Sequence, residues 1–255
     1  MDATAAPDPI EYLDAAAGVR VALDYKRRLL SALDVRTGQA VLDVGCGPGT
    51  DLGRLADAVT PGGSVVGVDN DPAMLAEARR RLADRPEVSI WSGDAHALPL
   101  ADASVDRART DRVLQHVADP AGVLAEALRV LRPGGLLAMA EPDWDTLAVA
   151  DVDVATSRAW ARFVAAQVRN ATVGRQLVRL AVDAGLAIRT VKAVPVVFRD
   201  FAGAEQILGL RRTTARAVRA GVPIAPEWLE RLERGPFLAG FTLYLVVAEN
   251  VGGGR

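Results

Sequence analysis

The segment Val41–Asp51, with the sequence VLDVGCGPGTD, constrains the fold of this chain more than any other stretch. A short apolar strand containing one acid runs directly into three glycines at every second position, Gly45, Gly47 and Gly49. Glycine has no Cβ, so its backbone can adopt positive φ and can lie close to a ligand. In α/β proteins, a strand that ends in such a turn and leads into a helix makes room for a nucleotide-like ligand at the carboxyl edge of the sheet.

Strand-like and helix-like segments alternate after this turn. The alternation predicts an α/β fold, a doubly wound, Rossmann-like sheet of seven strands that are mostly parallel. Two late strand-like runs, Ala187–Phe198 and Phe241–Glu249, lack an ordinary crossover helix at the end and predict one antiparallel strand near the edge. The spacing of apolar residues predicts one continuous helix over Ile10–Leu33 and another over Ala204–Ala220.

Composition and charge disfavour several classes of protein. The chain has 255 residues, of which 50% are hydrophobic and 24% charged, as in globular proteins. The net charge of −2 means that the chain has no excess of positive charge with which to bind nucleic acid. The single cysteine cannot form an internal disulfide, and no apolar run reaches the ~18 residues that a membrane span needs. We therefore expect a cytoplasmic monomer or homodimer that binds neither membrane nor nucleic acid, with residues 1 to about 9 loosely structured.

Five segments between about residues 38 and 141 follow one another as the motifs of a single family do: VLDVGCGPGTD, VVGVDNDPAML, WSGDAHALPL, DRVLQHVADP and ALRVLRPGGLLAMAEP. Together they resemble class I S-adenosylmethionine (SAM)-dependent methyltransferases, of the small-molecule type that includes the ubiquinone and menaquinone C-methyltransferases. The resemblance implies a single methyltransferase domain over residues 1–255. Its core would comprise about 34–145, 174–200 and 240–250, and its lid elements about 10–33, 146–173 and 202–234.

The resemblance implies SAM as cofactor, S-adenosylhomocysteine as product and no metal ion. Asp43 is expected to bind the amino group of SAM, Asp69 its ribose hydroxyls and Asp94 its adenine amino group. The other predicted cofactor-binding residues are Gly45, Cys46, Gly47, Gly49, Asn70, Met74, Gly93, Ala95 and Thr110.

Several of these residues also have a purely structural interpretation. Cys46 fits a small filler of the tight turn better than a nucleophile. Asp69 could instead cap the next helix, and Met74 could belong to the helix core. His96 could be a general base or could lie at the rim of the cofactor site.

The resemblance places the methyl acceptor near Arg109, Arg112, Gln115 and Trp144, which are the predicted substrate residues. His116 is the first candidate for a general base, because imidazole titrates near neutral pH. His116 could instead bond the loop around residues 119–120.

Two further residues of the predicted acceptor side carry charge. Glu141 is a second catalytic candidate, because it ends the fifth predicted strand. Arg109 lies in a strand that should be apolar, so it either pairs within the structure or holds an anionic group.

Aromatic residues in the predicted lid suggest a moderately hydrophobic acceptor, although each could equally belong to the core; they are Trp144, Trp160, Phe163, Phe201 and Trp228.

The predicted function is therefore methyl transfer from SAM to a hydroxyl, carbon or amine of a small molecule, in secondary-metabolite biosynthesis. One alternative is a quinone C-methyltransferase. Another is a SAM-binding enzyme or regulatory module that does not methylate. A nicotinamide dehydrogenase is disfavoured because the glycines run GxGxG rather than GxGxxG.

Overall fold

Seven strands form one sheet at the centre of the protein. The computed structural model describes residues 8–252, and the strands of that range are β1 (Ala40–Val44), β2 (Ser64–Asp69), β3 (Val88–Ser92), β4 (Val105–Asp111), β5 (Leu131–Val149), β6 (Ala187–Phe198) and β7 (Ala239–Glu249). Its helices are α1 (Pro9–Gly18), α2 (Arg20–Leu33), α3 (Leu52–Val59), α4 (Pro72–Arg81), α5 (Pro120–Val130), α6 (Val154–Ala166), α7 (Val173–Asp183), α8 (Phe201–Leu208), α9 (Leu210–Arg219) and α10 (Trp228–Arg234).

The strand order is β3-β2-β1-β4-β5-β7-β6. Strand β7 pairs antiparallel with both β5 and β6, whereas the other pairs are parallel. This topology confirms the predicted mostly parallel, doubly wound sheet with one antiparallel strand near the edge. The order reverses between β1 and β4, so a crevice opens at the carboxyl ends of these two strands.

The N-terminal segment is more ordered than expected over its last two residues. Residues 1–7 of the segment predicted to be loose lie outside the described residues. Asp8 is the N-cap of α1, since its carboxylate accepts from the backbone N–H groups of Ile10 at 2.9 Å and Glu11 at 3.0 Å. Pro9 then occupies the first helical position, where its missing N–H costs nothing.

The two long helices predicted from apolar spacing are each broken once. Val19, with ψ 142°, separates α1 from α2. Gly209, in the left-handed region with φ 57°, ends α8 and begins α9. A one-residue break barely disturbs the apolar period, so the pattern predicted continuous helices. The break at Val19 lets α1 contact α8 while α2 packs on β5 and β6.

Strand β5 extends well past Glu141, the residue at which the sequence pattern ended the fifth strand. Its extension continues to Val149, which pairs with Ala239 of β7 after a shift of register. Along the described residues 8–252, none of the helices combines the length and the apolar character needed to cross a membrane.

Candidate active site

A cleft of about 790 Å³ opens at the carboxyl ends of β1, β2, β4 and β5 and is covered by α1 and α2. It brings together residues that are far apart in the sequence. All the predicted site residues line it except Gly49, Thr110 and Glu141; the lining set is Asp43, Gly45, Cys46, Gly47, Asp69, Asn70, Met74, Gly93, Asp94, Ala95, Arg109, Arg112, Gln115, His116 and Trp144.

The glycine turn is held close to two neighbouring elements. Gly45 has φ 69°, and a Cβ there would overlap Cγ2 of Val113 and lie 3.0 Å from its Cγ1. Gly49 faces the other way, because a Cβ on it would meet Ala78 of α4 at 3.2 Å. Gly49 therefore packs the turn against α4 and does not reach the cleft, which corrects its predicted contact with the cofactor.

Asp43 presents a buried carboxylate to the cleft at the end of β1. It is 3% exposed, accepts no hydrogen bond from residues 8–252, and lies 3.5 Å from Nε of Arg109. Burial raises the pKa of Asp43 to about 6, although the charge of Arg109 opposes this effect. A cationic ligand with N–H donors would satisfy this carboxylate, so the observed site fits the ammonium of SAM.

Asp69 ends β2 and is already joined to the glycine turn. Its Oδ2 accepts from the N–H of Gly47 at 2.8 Å, and its Oδ1 accepts from the N–H of Asp71 at 3.0 Å. Each oxygen retains a lone pair for a further donor, such as a ribose hydroxyl. The cap of α4 is Asp71, which accepts from the N–H groups of Ala73 and Met74. The structure thus gives capping to Asp71 and leaves Asp69 facing the cleft.

Asp94 and His96 form a local pair on the adenine side of the cleft. Oδ1 of Asp94 lies 2.7 Å from Nδ1 of His96 and 2.9 Å from its backbone N–H. The backbone N–H of Asp119 donates to Nε2 of the same ring at 3.3 Å. Both ring nitrogens of His96 are therefore engaged, which favours a rim position over a base.

Cys46 behaves as a filler of the turn. Burial raises the pKa of its thiol, so the nucleophilic thiolate is disfavoured. Its sulfur packs over Gly67 of β2, where an added Cβ would lie 2.9 Å from Sγ. Met74 is 8% exposed and still lines the cleft, so it serves both the helix core and the cleft wall.

Arg109 belongs to a buried ion cluster beneath α2. Its Nη2 lies 3.0 Å from carboxylate oxygens of both Asp51 and Asp111. Lys26 of α2 bonds the same two carboxylates, and the hydroxyl of Tyr25 donates to Asp111 at 3.0 Å. Arg109 therefore has partners within the protein, which favours the structural alternative; because it also lines the cleft, its role in substrate binding stays a prediction.

Lys26 and Tyr25 were missed by the sequence analysis, although a signal was available. Both lie on the buried face of α2 between Ala22 and Leu29. A cation on an apolar helix face must find a buried partner. The pattern alone could not identify that partner, because Asp111 is 85 residues away in sequence.

Glu141 supports the active-site loop from behind. It is fully buried, and its carboxylate accepts from the N–H groups of Val113 at 2.8 Å, Leu114 at 2.6 Å and Gln115 at 3.4 Å. Burial raises the pKa of Glu141 to about 8 against the opposing effect of these donors. Because it does not line the cleft, its predicted catalytic role is replaced by a supporting one.

Asn170, which the sequence analysis did not single out, holds the same loop from the α6–α7 connection. Its Nδ2 donates to the carbonyls of Leu114 and Val117 at 2.8 Å each, and its backbone N–H donates to the carbonyl of Gln115 at 3.1 Å. The indole N–H of Trp144 donates to Oε1 of Gln115 at 2.8 Å. The loop is therefore braced on both sides.

His116 projects from this braced loop into the cleft. It is exposed, and its imidazole makes no hydrogen bond with the described part of the chain. Partial loss of hydration lowers the pKa of His116, and the positive charge of Arg112 lowers it further. The sequence analysis also allowed His116 to bond the loop around residues 119–120, but the imidazole that binds the N–H of Asp119 is that of His96.

Thr110, at the end of β4, is also outside the cleft. It is 2% exposed, and its hydroxyl is buried.

An aromatic wall faces the His116 loop. Trp144 stacks on Phe241 with ring centroids 4.8 Å apart, and Phe198 lies 6.4 Å from Phe241. This wall comes from β5, β6 and β7. The sequence analysis had grouped Trp144 with the lid aromatics and had placed Phe198 and Phe241 in the two late strands, without predicting that the three rings meet.

The other predicted lid aromatics belong to the core or pack against it. The rings of Trp160 and Trp228 contact each other at 5.6 Å, and both side chains are fully buried. Phe163 and Phe201 pack on the same core without lining the cleft. Among these predicted aromatics, Trp144 therefore contributes to the cleft.

Comparison with known proteins gives a family and a fold. A family model described as a methyltransferase domain matches residues 42–139. An uncharacterized 37.1 kDa protein in transposon TN4556 of Streptomyces fradiae is 55% identical over 250 residues, which cover 96% of this chain and 72% of that protein. The demethylmenaquinone methyltransferase of Beutenbergia cavernae is 42% identical over 123 residues. That match covers 47% of this chain and 49% of the relative, so it spans about half of each.

Solved structures agree with this fold. Geranyl diphosphate methyltransferase in complex with SAM has a TM-score of 0.61 at 19% identity, covering 98% of this chain and 94% of that one. A SAM-dependent methyltransferase from Aquifex aeolicus has a TM-score of 0.58 at 18% identity, covering 93% and 98%. The [4+2]-cyclase SpnF has a TM-score of 0.62 at 21% identity, covering 91% and 82%. At such identities the likeness concerns the fold alone.

Proposed function

Because this chain belongs to the class I SAM-dependent methyltransferases, we propose that it methylates a hydroxyl, carbon or amine of a small, moderately hydrophobic molecule. One observation carries the proposal: a single cleft joins a cofactor end to an apolar chamber, and the two meet at the His116 loop. Its volume of about 790 Å³ lies in the range of small-molecule sites.

The cofactor end supports binding of SAM through three acids at successive strand ends. Asp43 would pair with the ammonium, Asp69 would accept from the ribose hydroxyls, and Asp94 would accept from the adenine amino group. Bound SAM supplies an electrophilic methyl group on its sulfonium. The glycine turn lets the backbone approach the methionine portion of that cofactor.

The chemical task of the protein is to align the acceptor and to exclude water. In-line transfer forms the bond from acceptor atom to methyl as the sulfur–methyl bond breaks, and positioning provides much of the rate. For a hydroxyl acceptor, a ring nitrogen of His116 takes the proton. A lowered pKa keeps that imidazole neutral at neutral pH, so it is ready to act as a base.

A second candidate acceptor is a demethylated quinone, because several relatives of this chain are named demethylmenaquinone methyltransferase. The aromatic wall of Trp144 and Phe241 would also suit a quinone ring. We favour a secondary metabolite because the identity to those relatives extends over only 47% of the chain.

Methyl-labelled SAM tests these alternatives directly. The purified protein is incubated with labelled SAM and either demethylmenaquinone or the small-molecule fraction of a cell extract. Label in an extract component supports the proposal, and label only in demethylmenaquinone supports the second candidate. SAM binding without label in any product would overturn methyl transfer. Asp43→Asn should abolish the signal, whereas Asp183→Asn, at an exposed position on α7, should preserve it.

A further inference from the structure

One face of the cleft, beside His116, carries positive charge that the protein itself leaves partly unmatched. Arg112 begins the His116 loop with φ +60°, in the left-handed region that side-chain-bearing residues rarely adopt. Its backbone N–H donates to the carbonyl of Ala140 in β5 at 2.8 Å, which holds this conformation just after the end of β4. Strain of this kind persists where the surroundings impose it, and it is common at ligand-binding sites.

The guanidinium of Arg112 lacks a close partner. Its Nε is buried without a hydrogen bond, and its ion pair with Oδ1 of Asp111 is 3.6 Å long. Asp111 already accepts from Tyr25, Lys26 and Arg109. Arg112 lines the cleft, and its Nη groups make no hydrogen bond with residues 8–252, so these groups are available to a ligand there.

Arg169 adds a second positive charge next to the same loop. It lines the cleft and directly precedes Asn170 in the chain. Because Asn170 bonds the carbonyls of Leu114 and Val117, it holds this part of the chain beside the His116 loop. Arg169 makes no ion pair with any residue in the range 8–252.

The acids that line the cleft do not balance these two arginines. Asp43, Asp69, Asp71 and Asp94 face the cofactor end. Asp51 and Asp111 are held in the ion cluster with Lys26 and Arg109. The acceptor end therefore combines an apolar wall on one side with two arginines on the other.

We propose that the methyl acceptor carries an anionic group, a carboxylate or a phosphate, that Arg112 binds and Arg169 assists, while its apolar body contacts Trp144 and Phe241. This inference rests on the proposed function and narrows it to an anionic, partly aromatic or aliphatic acceptor. Arginine suits the task because its fork of N–H groups can bind two oxygens of a carboxylate or phosphate at once.

Probe binding tests the inference without knowledge of the natural acceptor. Calorimetry on protein saturated with S-adenosylhomocysteine compares 3-(4-hydroxyphenyl)propanoate, its neutral methyl ester and phenyl phosphate. Whichever of the two anions binds more tightly, we expect its affinity to exceed that of the ester at least tenfold, because a charge-assisted hydrogen bond contributes about that much binding free energy. The two anions distinguish a carboxylate site from a phosphate site.

Arginine variants identify the residues responsible. Arg112→Gln should abolish the preference for the anion, and Arg169→Gln should reduce it, with SAM affinity unchanged in both. Arg162→Gln, at an exposed position on α6, should match the wild type. If Arg112→Gln fails to fold, Arg169→Gln and Arg112→Lys carry the same comparison.

Three outcomes would overturn the inference: equal binding of ester and anions, no binding of either anion, or an Arg112→Gln variant that loses SAM affinity while keeping the anion preference. The last result would assign Arg112 to the cofactor carboxylate. Failure of the proposed function is a separate result, because an anion preference can persist when no labelled methyl group is transferred.

Discussion

The ammonium of Lys26 on α2 lies 2.7 Å from the carboxylate of Asp111 at the end of β4. The two side chains are only 7% and 5% exposed, so neither charge is well hydrated. Arg109 and Asp51 complete the cluster on the same side. This contact joins a helix that covers the cleft to the strand edge that forms its floor.

Replacement of Lys26 by methionine should destabilise the protein. Two buried carboxylates would lose a counter-charge, and breaking a buried pair in this way costs about 3–5 kcal/mol. Urea unfolding measures the loss. Arg27→Met is the matched control, because Arg27 is 75% exposed and its one ion pair among residues 8–252 is with Asp24 of its own helix. Equal effects of the two variants would contradict the buried cluster.

Replacement of Asp69 by alanine should raise the dissociation constant of SAM at least tenfold. The change removes the proposed acceptor of the ribose hydroxyls and also the bond to the N–H of Gly47. Equilibrium binding of SAM measures the effect. Asp84→Ala, at an exposed position just after α4, should leave the constant within about twofold. An unchanged constant in Asp69→Ala would remove the ribose assignment.

An added methyl group at Gly45 should prevent SAM binding and lower stability. The new Cβ would overlap Val113 and would have to sit at φ 69°. Thermal unfolding and SAM binding report both effects. Gly53→Ala is the matched control, since Gly53 lies in α3 with nothing within 4 Å of its Cβ position and should stabilise the helix by up to about 1 kcal/mol. A double variant that also carries Val113→Ala should recover part of the stability.

If His116 is the base, His116→Ala should lower kcat by about 10²–10⁴ for a hydroxyl acceptor. In the pH profile of kcat/KM, the midpoint of the acid limb should then lie below 6.5, the ordinary pKa of imidazole, because the pKa of His116 is lowered. Below that limb the ring is protonated and cannot accept a proton, so activity falls as the pH falls.

The same pH profile tests the influence of Arg112. Arg112→Gln removes a positive charge that disfavours the imidazolium form, so the acid limb should move to higher pH. Arg162→Gln provides the control profile. Full turnover in His116→Ala would remove His116 from the role of base.

The cofactor end could be predicted because its signals are local. Asp43, Asp69 and Asp94 each lie within two residues of the end of a strand, and strands that run parallel in one sheet end at the same edge. The same logic located Glu141 at that edge. It could not tell that the Glu141 carboxylate turns inward to the N–H groups of Val113 and Leu114.

The acceptor end could not be predicted because it depends on contacts between distant segments. Lys26 meets Asp111 across 85 residues, and Asn170 meets Leu114 across 56. No local pattern encodes such a pairing. The aromatic wall was likewise not predicted: Trp144 was grouped with the lid aromatics, and its contact with Phe241, which also lies near Phe198, joins strands that are far apart in the sequence.

By itself, the sequence determined the sheet, its single antiparallel strand and the position of the glycine turn, since each follows from residue spacing and backbone sterics. The tertiary structure decided which charges are matched. Arg109 and Arg112 stand three residues apart, yet Nη2 of Arg109 lies 3.0 Å from two carboxylates, whereas the ion pair of Arg112 with Asp111 is 3.6 Å long. That difference depends on the depth and direction of each side chain relative to α2, which only the folded chain sets.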